Sequence, residues 1–352
     1  MGKKTFFLRI GILVLSLMIT AYSSQALASV TQDKKVEVYN FDNRINSELR
    51  EAFSGMPVLD YVKDVVAFRE AHKVSPTTLP TDDAVLVREE TISGYEGIPD
   101  LKVRTFQPKT RSGNLPAVLW IHGGGYILGS AEAAEGLILR IVKEGNCVVV
   151  APNYRLAPEN TFPAAIDDCY ATLKWMADNS KNNLMINTER IAVAGTSAGG
   201  GLTAAVALKA RDEKGPSICF EMPLYPMLDD RNVTASSYQV TDGRVWNRED
   251  NVKAWGMYLG NGNGKKVSPY AAPARATDLS GLPPTFIMIG ELDVFRDEVI
   301  DYANRLMQAG VPTELHIYPG CFHGFEIFIP QAEISKKAKS EYIGALTKAI
   351  NR

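Results

Sequence analysis

An α/β architecture, with a mostly parallel sheet covered by helices on both faces, follows from three features of the sequence. First, short apolar runs at residues 117–121, 147–151 and 191–194 are followed by further strand-like stretches at 218–224, 285–289 and 315–318. Runs of that length suit strands buried on both faces. Second, stretches of helical character separate them, at residues 132–144, 162–178, 202–210 and 298–309, with another closing the chain at 334–350. Gly310 and Pro312 stop the fourth of these. Third, residues 85–92 and 101–106 read as an opening hairpin around a turn at 94–100. Strands alternating with helices imply parallel crossover units. Catalytic loops of such a sheet lie at the carboxyl ends of its strands.

Two stretches fall outside this alternation. Residues 29–84 lean helical and carry no strand pattern, with apolar residues at helical spacing from Met56 to Phe68. The interval 229–284 is too long for a simple connection and holds an amphipathic helix at 248–259, with Trp246 and Trp255. Both read as parts of a cap over the strand ends of a catalytic domain spanning 85–352.

The 352 residues are 45% hydrophobic with a formal net charge of −2, the balance of a globular chain. No basic excess points to nucleic acid. The first 28 residues differ: Lys3, Lys4 and Arg9 precede an apolar run at 10–19, and Ala26-Leu27-Ala28 offers a small-residue cleavage site. That is the layout of a secretory signal peptide, cut after Ala28, and it implies a periplasmic or secreted protein. The run is shorter than the ~20 residues of a membrane span, which argues against an uncleaved anchor. Cys147, Cys169, Cys219 and Cys321 lie in strand-like, helical or loop stretches without metal-site spacing, and read as buried small hydrophobes.

Chemistry concentrates at Gly195-Thr196-Ser197-Ala198-Gly199, between the apolar strand 191–194 and a small-residue helix. A G-x-S-x-G turn in that context holds its serine in a strained conformation at the strand tip. The following helix aims free N–H groups and a partial positive charge at the same spot. A serine hydroxyl needs a base, and the base needs an acid to fix its tautomer. Of the four histidines, His72 and His122 precede the serine and His316 lies inside a strand. His323, past a strand end, is the candidate base. Asp293, just after the strand 285–289, is the candidate acid. Glu291 and Asp297 are its rivals, with Asp229 and Asp230 weaker; Asp297 is better suited to the N-terminus of the following helix. His122-Gly123-Gly124-Gly125 follows a buried strand directly, so the N–H groups of Gly123, Gly124 and Gly125, with that of Ala198, are candidate oxyanion donors. A phosphate loop fails here, because no G-x-G-x-x-G follows and no Lys or Ser/Thr stands where phosphate binding needs it.

HGGGY at 122–126, YRLAPE at 154–159, FPAAIDD at 162–168, GTSAGGG at 195–201, GELDVFRDE at 290–298 and FHGF at 322–325 together resemble the hormone-sensitive-lipase-like branch of the α/β-hydrolases, the bacterial family IV carboxylesterases. The resemblance runs from about residue 115 to the C-terminus. It implies an α/β-hydrolase core, a helical cap, and ester hydrolysis without metal or cofactor. It carries the nucleophile onto Ser197, the acid onto Asp293, the base onto His323 and the oxyanion donors onto residues 123–125 and Ala198. Thr196 stands where the family more often has Asp, as in its GTSAGG subgroup, and Val294-Phe295 replaces the usual Pro-Leu of the acid loop. Tyr154, Arg155, Glu159, Asp167 and Asp168 are read as an ion-paired loop beneath the site.

The expected activity is a serine carboxylesterase for short- to medium-chain esters. The alternatives are a long-chain lipase, an amidase, or a non-catalytic small-molecule binder on the same scaffold. The expected partner is a small-molecule ester, with a homodimer left open.

Overall fold

A computed structural model of the chain describes residues 37–352, apart from 76–77, 98, 179–182 and 261–265. The expected signal peptide, its cleavage site and residues 29–36 lie outside the described residues. Eight strands form one sheet in the order β1-β2-β4-β3-β5-β6-β7-β8. They are β1 (Val85–Ile92), β2 (Leu101–Pro108), β3 (Leu115–Ile121), β4 (Val148–Pro152), β5 (Ile186–Thr196), β6 (Phe220–Leu224), β7 (Thr285–Leu292) and β8 (Thr313–Phe322). The opening hairpin pairs antiparallel, as does β2 with β4, and all remaining pairs are parallel.

The helices are α1 (Phe41–Arg44), α2 (Arg50–Ser54), α3 (Val65–Ala71), α4 (Glu135–Gly145), α5 (Ala164–Ala177), α6 (Ala198–Asp212), α7 (Ala235–Gln239), α8 (Arg248–Leu259), α9 (Arg296–Gln308), α10 (Phe325–Phe328) and α11 (Glu333–Ile350). α4 packs with α11, α5 packs with α6, and α9 lies on β7 and β8. Every residue of β4 and β6 is buried, Glu221 of β6 included; the unbroken apolar run of β4 requires that state. The three cysteines Cys147, Cys169 and Cys321 are buried, Cys219 is half-buried, and all four are free. Among the described residues no helix is long and apolar enough to cross a membrane.

Three expectations shift. The helical spacing from Met56 to Phe68 yields only α3, which starts at Val65 after Asp64 accepts the Ala67 N–H at 2.9 Å. Pro57 and this cap move the helix start downstream, because a capping carboxylate fixes where the first turn begins. β5 begins at Ile186, before the expected strand, with a register shift where Leu115 pairs Ile186 and Ala117 pairs Ile191. β8 runs on through Pro319-Gly320 to Phe322, so His323 follows the strand immediately. Glu291 makes that possible by accepting the Gly320 N–H at 2.9 Å beside a register shift in β7.

Candidate active site

Ser197 follows β5 and caps α6 with φ 56° and ψ −120°. Such a backbone costs about 1–3 kcal/mol and survives only where its surroundings over-determine it. Here they do. Ser197 donates its N–H to Leu224 O at 2.9 Å, and its carbonyl accepts from Met227 N at 3.0 Å and Gly201 N at 2.9 Å. The two flanking glycines are a matter of space. A Cβ on Gly195 would stand 2.5 Å from Gly199 O, and one on Gly199 would overlap the carbonyl oxygens of Ile121 and His122. Strand and helix meet too closely for any side chain there.

His323 Nε2 lies 2.9 Å from Ser197 Oγ, and its Nδ1 lies 2.7 Å from Asp293 Oδ2. Asp293 is fully buried, and its other oxygen accepts the Phe295 N–H at 2.9 Å. Tyr225 and Phe295 meet the imidazole edge-on, with ring centroids 5.0 and 5.2 Å away. Aromatic pairs favour that geometry, and it fixes the ring plane. The sheet thus brings three residues far apart in sequence to one hydrogen-bonded line.

The rival acids are committed elsewhere. Glu291 pairs with Arg44 and braces Gly320, which holds its carboxyl below the usual range against the opposing effect of burial. Asp297 sits in the first turn of α9, yet its carboxylate accepts the Ser236 N–H at 2.7 Å and so serves α7 instead. Asp229 pairs with Arg231 and Asp230 with Arg275. His316 lies between Glu314 and Glu341. His122 stacks on Tyr154 with centroids 4.1 Å apart, and its Nδ1 is 2.8 Å from Gly123 O. Burial pushes its pKa down to about 4, so it stays neutral.

The loop from His122 to Gly129 folds back on itself. Gly124 has φ 120°, and its carbonyl accepts from both Ile127 N at 3.0 Å and Leu128 N at 2.8 Å. A Cβ on Gly123 would stand 3.2 Å from Ser197 Cβ. Among the described residues, no group accepts the N–H of Gly123, Gly124, Gly125 or Ala198. A cavity of about 490 Å³ opens above these residues and is lined also by Tyr61, Trp120, Trp246 and Phe328. Trp246 lies against Gly125, donates its indole N–H to Asn251 Oδ1 at 3.3 Å and rests on Tyr61. Among the described residues no His/Cys/Asp/Glu group is arranged to hold a metal ion.

The loop expected beneath the site divides. Arg155 pairs with Asp168 through both side-chain oxygens at 2.8–3.1 Å. Asp167 faces Lys209, and Glu159 reaches Arg69 in the N-terminal segment. Sequence reasoning assigned no part to Tyr225, although the residue after a buried parallel strand stands at the carboxyl edge where chemistry gathers.

A family model for the alpha/beta hydrolase fold matches residues 118–327. The carboxylesterase NlhH of Mycobacterium tuberculosis is 36% identical over 282 residues, covering 79% of this chain and 86% of its own. A bacterial heroin esterase superposes with a TM-score of 0.82 at 39% identity, covering 88% of this chain and 98% of its own. The esterase LipW of Mycobacterium marinum gives a TM-score of 0.80 at 33% identity, covering 90% and 99%. With an eight-stranded sheet of this topology and relatives of this similarity, the chain belongs to the α/β-hydrolase family, in its hormone-sensitive-lipase-like branch of carboxylesterases.

Proposed function

We propose that the chain is a serine carboxylesterase for short- to medium-chain esters, with Ser197, His323 and Asp293 as its catalytic triad. The observation that carries this reading is the unbroken line from Ser197 Oγ through His323 to the buried Asp293, with contacts of 2.9 and 2.7 Å. His323 Nε2 takes the hydroxyl proton as Oγ attacks the ester carbonyl carbon. Asp293 holds the Nδ1–H tautomer and stabilises the imidazolium. The tetrahedral oxyanion takes hydrogen bonds from the Gly123–Gly125 loop and from Ala198, donors with no other acceptor among the described residues. Each such donor is worth ~3 kcal/mol in the transition state. The proton then passes to the leaving alkoxide, and water attacks the acyl-enzyme by the same route.

Acyl length follows from the cap, which we assign to the N-terminal segment and the 229–284 insertion. Trp246 and Tyr61 close over the cavity, and that favours short acyl groups over long ones. A series of p-nitrophenyl esters from acetyl to palmitoyl tests both parts. Activity peaking at or below octanoyl, and lost in S197A, is expected. Wild-type rates in S197A would remove Ser197 as the nucleophile, whereas a wild-type chain with no turnover and no labelling of Ser197 by a fluorophosphonate would leave only a binding role for the cavity. Export is part of the reading as well. A mature N-terminus at Ser29, read by mass spectrometry of protein from a native host, is the expected result.

A further inference from the structure

The N-terminal segment contributes one side chain that reaches behind the glycine loop. Arg69, on α3, donates from Nε to Ile127 O at 2.7 Å and from one terminal nitrogen to Ala157 O. Its other terminal nitrogen donates to Glu159 Oε1 at 2.9 Å. Ile127 and Ala157 are wholly buried, and Arg69 itself is mostly covered. Ala157 in turn donates its N–H to Tyr126 O at 3.0 Å. The guanidinium therefore joins two loops that no strand ladder joins.

The position of those carbonyls gives the clasp its meaning. Gly124 O is held inside the turn by the N–H groups of Ile127 and Leu128. Tyr126, with φ 64°, donates its hydroxyl to Met227 O at 3.1 Å, and Met227 N binds Ser197 O at 3.0 Å. Residues 124–128 are thus tied to the serine turn on one side and to Arg69 on the other. A planar fork with charge-assisted bonds fixes carbonyl positions better than water or a flexible amine can.

We infer that Arg69 is a positioning residue for the oxyanion loop, holding residues 123–128 in register with Ser197 from outside the cavity. The inference rests on the esterase reading above. It gives the N-terminal segment a part in transition-state stabilisation in addition to its part in the cavity wall. Arg69 touches no reacting atom, so its loss acts through loop geometry. A misplacement of about 1 Å far from the chemistry costs on the order of 100-fold.

The test uses the full-length chain, with active sites counted by fluorophosphonate titration and folding followed by thermal melting. R69A should lower kcat on p-nitrophenyl butyrate by about tenfold or more with KM held within about threefold. Affinity for a trifluoromethyl ketone, which forms the tetrahedral oxyanion, should fall by the same factor. Added guanidinium should restore part of kcat. If R69A fails to fold, R69Q takes its place with the same readouts. A folded variant with wild-type kcat overturns the inference, and so does a loss of kcat that ketone affinity does not follow. A wild-type chain that hydrolyses no ester would instead overturn the esterase reading itself, which separates the two failures.

Discussion

The carboxyl edge of the sheet and the stretches that lie over it hold their residues by different means. At the edge, Ser197 follows β5, Asp293 follows β7 and His323 follows β8. Each sits on a strand tip whose backbone is fixed by parallel ladders and buried side chains. Above them, Tyr61 belongs to residues without regular structure, and Trp246 precedes α8 and is held by one indole hydrogen bond and a ring contact. The proposed chemistry is mounted on strand ends held by sheet ladders, and the proposed fit to substrate on stretches outside the sheet. Changes at the edge should therefore abolish turnover, while changes above it should redirect specificity.

The largest expected effect sharpens that division. D293N should keep the fold, because an amide fills the same space, yet leave His323 without its orienting anion. A loss of about 10⁴-fold in kcat is expected from a wrong tautomer. Stopped assays with enzyme titrated by active site would measure it, and a loss under tenfold would remove Asp293 from the triad.

G199A attacks the same edge through space. Its new methyl would overlap the carbonyl oxygens of Ile121 and His122, so β3 and α6 must part. Overpacking of this kind costs typically 1–3 kcal/mol and more where backbone must shift. We expect a lowered denaturation midpoint together with lost activity. An active, equally stable G199A would mean that the close approach of β3 and α6 is dispensable.

W246A probes the stretches outside the sheet. Removing the indole opens the wall against Gly125 and leaves the Ser197–His323–Asp293 line untouched. The ratio of kcat/KM for octanoyl over acetyl esters should rise by about tenfold, the scale of a few apolar contacts. An unchanged ratio would move the acyl group to another wall of the cavity.

The smallest effect lies in the sheet, away from any chemistry. Glu221 on β6 is fully buried and, among the described residues, accepts only the Thr285 hydroxyl at 2.7 Å, and burial pushes its pKa up to about 8. An unfolded glutamate ionises near 4.5, so the native state holds an extra proton between those values. Stability should therefore fall as pH rises across that window. Melting curves from pH 5 to 9 should show E221Q gaining on wild type as pH increases. Parallel curves would mean that Glu221 ionises normally inside the sheet.

Much of the edge was legible in advance because its signals are local. An apolar run followed by Gly-x-Ser-x-Gly, by a glycine triplet or by Glu-Leu-Asp names a strand tip; chain order removes His72 and His122, and the place of His316 inside a strand leaves His323. The stretches above the edge were less readable. Helical spacing from Met56 to Phe68 promised more helix than Pro57 and the Asp64 cap allow. The bonds from Arg69 to Ile127 and from Asp297 to Ser236 join residues 58 and 61 positions apart. No periodicity encodes such pairs, since they depend on which loops the finished sheet brings together. Tyr225 sits between these cases: its place at a strand end was readable, but its edge-on contact with His323 was not.

The twisted backbone at Ser197 has one more consequence. Every residue with a side chain resists φ near 56° and ψ near −120°, whereas glycine accepts it with ease. A chain carrying glycine there would be catalytically dead and yet outlast the native protein on heating. The proposed nucleophile is thus a spot of built-in fragility, kept under tension by neighbours whose own hydrogen bonds leave it no way to relax.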